Sequence, residues 1–344
     1  MTKTMKILLI LLGLSVVVLT ADIIRYYSHL FSSRNAPTAS PSPNQTKTVP
    51  KEEMTFIFAG DAMFGRAIYA QFYDDLRDAF QNLRPDFFKD KDIAMLNLEG
   101  PMVQNEFVPD TNPNNLIMKF PPQTAETLKW LNINAAGLAN NHTANQGDLG
   151  LMFTREILAK NQITTVGDPH NSGDLVKTFS KKNLKVSLIA VNLLANIPDL
   201  AALIKDQKAT GALVIVFPHW GAEYETTHNA LQERLAHEWI EAGADMVIGS
   251  HPHVIQDAEI YQKRPIFYSL GNFLFDQTFS QNTQRGLVVA GKITDQKLFL
   301  ELLPIKSVRL KVEAMTGQEK EAIVGQIKKE LGFESGSEIV INLE

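Results

Sequence analysis

The sequence predicts an α/β layered domain with a mixed β-sheet, carried behind an N-terminal membrane anchor. Two observations give the domain. From Thr55 onward short apolar runs recur, each followed by a turn and often by a stretch with helical spacing, and the later part of the chain adds consecutive strands. A third gives the anchor: one apolar run preceded by lysines opens the chain ahead of a polar stretch that cannot bury a core.

In chain order, Lys3 and Lys6 precede an apolar run at 7–19, followed by Asp22, the pair Ile23 and Ile24, Arg25, and the pair Tyr26 and Tyr27. The run falls short of the ~20 residues that cross a bilayer unless Asp22 sits at the far interface and the isoleucines extend it. Leu19 and Ala21 frame a cleavage site without the small-x-small pattern. An uncleaved transmembrane signal-anchor over 1–28 is therefore expected. The lysines stay inside, the tyrosines form an interfacial belt, and a single-pass protein of the cell membrane holds its folded domain extracytoplasmic. Residues 29–53, rich in Ser, Thr, Pro and Asn, read as a disordered linker.

The folded domain is expected over 54–304, with a C-terminal strand and helix extension over 305–344. A first strand is expected at 56–59. Phe64, Ile68, Phe72, Leu76 and Phe80 then recur every four residues as the inner face of an amphipathic helix. Phe153, Ile157 and Leu158, and later Leu231, Leu235 and Trp239, mark further helical faces. Other strands are expected at 93–96, 135–139, 185–191, 213–217, 246–248, 266–270, 287–293 and 298–303. An edge strand near 308–312 and a helix near 318–331 close the chain.

Composition narrows the chemistry. The 344 residues are 44% hydrophobic and 21% charged, enough apolar material for one large domain. A net charge of -5 provides no basic field for a phosphate backbone, so nucleic acid is not expected as a partner. Cysteine is absent, which excludes disulfides, thiolate ligands, a thiol nucleophile and an acyl anchor. Any metal must be held by His, Asp, Glu or Asn.

Candidate ligands fall at the ends of expected strands. The first strand leads into Gly60-Asp61, the second into Asn97 and Glu99, and the third into Asn140, Asn141 and His142. Later strands lead into His219, into Ser250, His251 and His253, and into Gly271-Asn272. The carboxyl edge of an open α/β sheet is where ligands bind, because rigid strands converge there. Singly, each group is ordinary loop chemistry. Of the eight histidines, His142, His219, His251 and His253 follow strand ends, whereas His29, His170, His228 and His237 read as structural or surface residues. His251-Pro252-His253 is the sharpest local signal, an extended chain presenting two imidazoles to one centre. Oxygen ligands from Asp61, Glu99 and Asn141 with imidazoles suit Mn, Fe or Zn ions. Such a divalent centre lowers the pKa of a bound water and clamps phosphoryl oxygens.

The strings FAGDAMFGR (58–66), LNLEGP (96–101), GLANNHTANQG (137–147), PHWGAEYE (218–225), GSHPHVIQ (249–256) and YSLGNFLFD (268–276) resemble the CapA family of poly-gamma-glutamate capsule synthesis proteins, in family order. That family resembles a divergent branch of the calcineurin-like metallophosphoesterases. The resemblance implies a four-layer α-β-β-α metallophosphoesterase-like sandwich and two metal ions. Asp61 and His253 would serve one ion, Glu99 would bridge, and Asn141, His219 and His251 would serve the second. His142 would contact the transferring phosphoryl group or protonate the leaving oxygen, with Arg66 and Asn272 as substrate contacts. Two positions depart from the pattern: Met63 stands where the superfamily has a histidine, and Asn145 where related sequences often carry aspartate. The implied partners are an anionic polymer, poly-gamma-glutamate, or a phosphoester substrate, the membrane, and other capsule-synthesis membrane proteins. Alternatives are a non-catalytic subunit that binds polymer or partners, and a metallophosphoesterase unrelated to capsule.

Overall fold

The computed structural model describes residues 52–104, 112, 115–294 and 297–343, together with Ile23, Arg25, Tyr26 and Ser28. Residues 1–50 and 51–344 separate as two units, and the second carries the fold. The expected anchor and linker lie almost wholly outside the described residues. Among those that are described, no helix is long and apolar enough to cross a membrane.

Two mixed sheets make up the domain. The first begins with β1 (Met54–Ala62), β2 (Ile93–Leu98), β3 (Ala135–Gly137) and β4 (Thr164–Val166), parallel and in that order. The chain then builds the second from β5 (Val176–Lys181), β6 (Leu184–Asn192), β7 (Leu213–His219), β8 (Met246–Ile248), β9 (Ala258–Tyr261) and β10 (Arg264–Phe267). Their order is β5-β6-β7-β8-β10-β9, parallel in the centre and antiparallel at both edges. It finally returns to the first sheet with β11 (Asn272–Leu274), β12 (Arg285–Ile293), β13 (Lys297–Val308), β14 (Lys311–Ala314) and β15 (Ile339–Asn342). β12 runs antiparallel to β1, and short β11 pairs parallel with the end of β1.

Strand alternation sorts the core into layers, because successive side chains point to opposite faces. Phe56 and Phe58 of β1 pack in the layer shared with Ile215 and Phe217 of β7, and the Phe58 and Phe217 rings lie 6.3 Å apart. Ile57 and Ala59 face the other way, toward Leu128 of α2 (Gln123–Trp130) and Leu158 of α3 (Gly147–Lys160), which follow the short α1 (Arg66–Gln71). Val214 and Val216 turn outward to Ile204 of α4 (Ala201–Ala209) and to Leu235 and Trp239 of α5 (Ala230–Ala242). The order is thus helices, sheet, sheet, helices. Each fully buried Phe contributes roughly 1.5–3 kcal/mol, so the inter-sheet layer is a large part of what holds the sheets together. α6 (Gly317–Glu330) adds Ile327 to that layer, and β13 runs through residue 304 without a break.

Several expectations need correction. The face repeating every four residues from Phe64 to Phe80 is buried throughout, but it is not one helix. α1 stops at Gln71 and a 3-10 turn spans Leu76–Phe80. The side chain of Asp75 accepts from the Arg77 N–H and starts the second segment, an alternative that short polar side chains offer the backbone. Leu231, expected on an inner face, is exposed. The strand expected at 266–270 ends at Phe267, since the following residues cross toward the first sheet. β4, β5 and β9 are short or amphipathic strands with no apolar run to announce them, and β11 and β15 carry apolar runs of only two or three residues.

Candidate metal centre

The strand ends bring the centre together. Asp61 pairs in register with Asn97 across β1 and β2, after a register shift that follows Phe58, and Glu99 lies two residues past Asn97. Such a bulge re-aims the side chains beyond it. The Asp61 N–H donates to the Gly271 carbonyl at 3.0 Å. A Cβ at Gly60 would collide with that same carbonyl, which is why glycine precedes the aspartate. From the second sheet, β7 ends at His219, which bridges to Ser250 just past β8. His251 and His253 then adopt left-handed backbone, with φ of 100° and 60°. Non-glycine residues pay ~1–3 kcal/mol for such conformations, and these cluster at functional sites.

Asp61, Glu99 and His253 form one group, with ligand atoms within 4.8 Å of one another. His253 Nδ1 lies 3.4 Å from Asp61 Oδ2, and its Nε2 lies 3.6 Å from Glu99 Oε1. Asn272 fixes that ring. Its Nδ2 donates to the Thr283 carbonyl at 2.9 Å and to Gln277 Oε1 at 3.0 Å. Its Oδ1 therefore accepts from His253 Nδ1 at 2.9 Å, which aims Nε2 at Glu99. Burial lifts the Glu99 carboxyl well above its ordinary range, against the pull of His253. In His253 burial acts downward, but Glu99, Asp61 and Asn272 outweigh it and raise the imidazole to about 9.

Asn141, His219 and His251 form the other group. His219 Nε2 lies 2.9 Å from Asn141 Oδ1, and the His219 and His251 rings are 4.7 Å apart. Burial holds His219 well below the ordinary imidazole range, and His251 and His253 add to the effect. Burial and His253 likewise lower His251 to about 4. Asn97 joins the two groups. Its Nδ2 lies 2.8 Å from Asp61 Oδ1, 3.3 Å from Glu99 Oε2 and 3.3 Å from His219 Nδ1.

His142 lies at the edge of this network, its Nε2 4.0 Å from Glu99 Oε1. Asn145 Oδ1 accepts from the Met118 N–H at 2.7 Å and, at 3.0 Å, from His142 Nδ1. Nε2 is thus the nitrogen left facing the centre. Burial keeps the His142 pKa low, with the Asn145 contact working in the opposite sense. Arg66 is buried and forms a forked ion pair with Asp276, with its guanidinium over the Phe275 ring. Phe275 in turn packs on His253, its ring centre 4.6 Å away. The structure therefore places all nine sequence-predicted residues in or against one centre.

The donors suit a divalent ion. Glu99 Oε1 and His251 Nδ1 are buried with no hydrogen-bond partner, a state that costs ~1–3 kcal/mol per group, more where charge is involved. A cation offers both a partner. Met63 offers none: it is fully buried and its sulfur accepts from the Gly65 N–H at 3.0 Å. Sequence reasoning missed Asn97 as a link between the groups, and it missed Glu223, which clusters with His251 and His253. Position in the PHWGAEYE string was the available signal for Glu223.

Comparison with known proteins agrees with the motifs. The family model for the bacterial capsule synthesis protein PGA_cap matches residues 55–277, and the chain belongs to that family. It is 29% identical to the PGA biosynthesis protein CapA of Bacillus subtilis over 71% of this chain and 69% of that one. It is 28% identical to the capsule biosynthesis protein CapA of Bacillus anthracis over 74% and 67%. Among solved structures, a phosphatase from Mycoplasma pneumoniae is 17% identical, with a TM-score of 0.43, over 77% of this chain and 93% of that one.

Proposed function

We propose that this PGA_cap family member is a membrane-anchored, extracytoplasmic protein of capsule assembly, with a metal-dependent site of the phosphoesterase type acting on an anionic polymer or a phosphoester. The observation that carries this reading is the buried, partnerless Glu99 Oε1 facing His253 and His142 at the meeting of both sheets. Asp61, Glu99 and His253 would hold one divalent ion, and Asn141, His219 and His251 a second. Ions held there supply Lewis acidity and an activated water.

This chain's own residues supply orientation and proton handling. Asn272 keeps His253 Nε2 turned inward, and Asn145 keeps His142 Nε2 turned toward the reacting side. From there His142 can take a proton from an attacking oxygen or, once protonated, give one to the leaving oxygen. Arg66, held by Asp276, contributes a fixed cation over the Phe275 ring. The test uses the full chain with manganese and a phosphodiester. His142→Ala should keep its metal and lose ~100- to 10,000-fold in rate. A metal-loaded wild type with no turnover would reject catalysis. The second reading, a polymer-binding subunit, would then stand, favoured by the neutral Asn145 beside His142. Protease added to intact spheroplasts tests the topology, since an extracytoplasmic domain is digested without lysis.

A further inference from the structure

We propose that Glu223 is a metal ligand of this centre, a carboxylate delivered by the 220–225 loop to His251 and His253. The inference rests on the metal-dependent reading above and adds to it a residue from an exposed loop. Glu223, His251 and His253 each offer one ligand atom, and the three atoms lie within 4.8 Å of one another. Two of the three are buried imidazoles, and one of these, His251, carries the partnerless Nδ1.

The loop is built to keep Glu223 there. Just after it, the Tyr224 N–H donates to the Pro252 carbonyl at 2.8 Å, which ties the loop to the middle of the His-Pro-His turn. Gln256 Nε2 donates to the Glu225 and Thr227 carbonyls, each at 3.0 Å. Before it, Gly221 has a φ of 90°, and a Cβ there would press on the Gln232 carboxamide at 2.8 Å. Tyr224 itself takes left-handed backbone, φ 67°, without being glycine. Its ring stacks 6.2 Å from His253 and meets Phe279 edge-on at 5.1 Å. A strained residue pinned on both sides is the kind of conformation that a site maintains and a free surface loop does not.

Position 63 is two residues past Asp61, and its thioether is turned to the Gly65 N–H rather than into the centre. A carboxylate beside two imidazoles hardens the donor set and shifts its preference toward manganese. Being exposed, the Glu223 carboxylate also meets an ion without first being desolvated.

The experiment is manganese titration of the metal-stripped full chain, read by calorimetry, by the electron paramagnetic resonance of the bound ion and by metal analysis. Glu223→Gln should weaken the affected site by about tenfold and Glu223→Ala by up to roughly 100-fold. Glu225→Gln, two residues along the same loop, should bind as wild type does. Wild-type affinity and stoichiometry in Glu223→Ala would overturn the assignment and leave the metal-centre reading intact. A wild-type chain that binds no divalent ion would overturn both.

Discussion

The acid-rich group of Asp61, Glu99 and His253 and the amide-and-imidazole group of Asn141, His219 and His251 share one centre but carry charge in opposite ways. In the first, carboxylates raise His253 to about 9, and the trio holds a proton between them. In the second, burial strips protons from His219 and His251, which stand ready as neutral donors. The same low-dielectric setting therefore produces one group that needs a cation and one that repels a proton. Which outcome prevails is decided by whether carboxylates are within reach of the imidazole.

Removing Asp61 should break the comparison most severely. Asp61→Ala takes an acceptor from the His251 N–H and from Asn97, and a carboxylate from beside a protonated His253. Breaking a buried pair this way typically costs about 3–5 kcal/mol, whereas His219→Ala removes neutral contacts worth about 1–3 kcal/mol. Denaturant unfolding of both metal-free variants checks the ranking, and equal losses would mean that the groups are electrostatically alike. Asn272→Leu acts more gently. It frees the His253 tautomer and should weaken metal binding roughly 10- to 100-fold with little change in the fold. Calorimetry on that variant separates orientation from ligation.

Proton exchange sharpens the contrast further. His253 must give up its proton to ligate, so metal uptake at pH 7 should release about one proton, and affinity should rise about tenfold per pH unit until about pH 9. Repeating the calorimetry in buffers of different ionisation enthalpy measures that release. In the metal-free protein the sign runs the other way. The stability contributed by His253 is full below the ordinary imidazole pKa and is lost as pH rises through about 9. The smallest effect is expected from Asn145→Asp. A carboxylate beside His142 favours the protonated ring and should move its titration to higher pH, visible in the NMR shifts of the ring and in the alkaline limb of a rate profile.

Strand ends were readable because they are local: an apolar run, then a polar group, is visible within ten residues of sequence. That pattern located the residues from Asp61 to Asn272 that converge here. It could not show the break between Gln71 and Leu76, where a period of four continues through Asp75 although the backbone does not. Glu223 was hidden for a different reason. It lies four residues past His219 on an exposed loop, and its approach to His251 and His253 depends on a hydrogen bond from Tyr224 to Pro252, a contact no periodicity encodes. Asn97 looked like one more strand-end amide, since its role as a link exists only once the two sheets meet.

The short strand β11 pairs with the end of β1, joining residues near 272 to residues near 61. The whole second sheet lies between them in sequence, so that pairing closes a very long loop. Long-range closures of this kind are slow, because loop entropy is lost before any contact forms in return. The centre should therefore be among the last parts of the domain to mature. During refolding, protection of β1 amides from hydrogen exchange should precede metal capture, and a chain ending before Asn272 should collapse without acquiring a tight site.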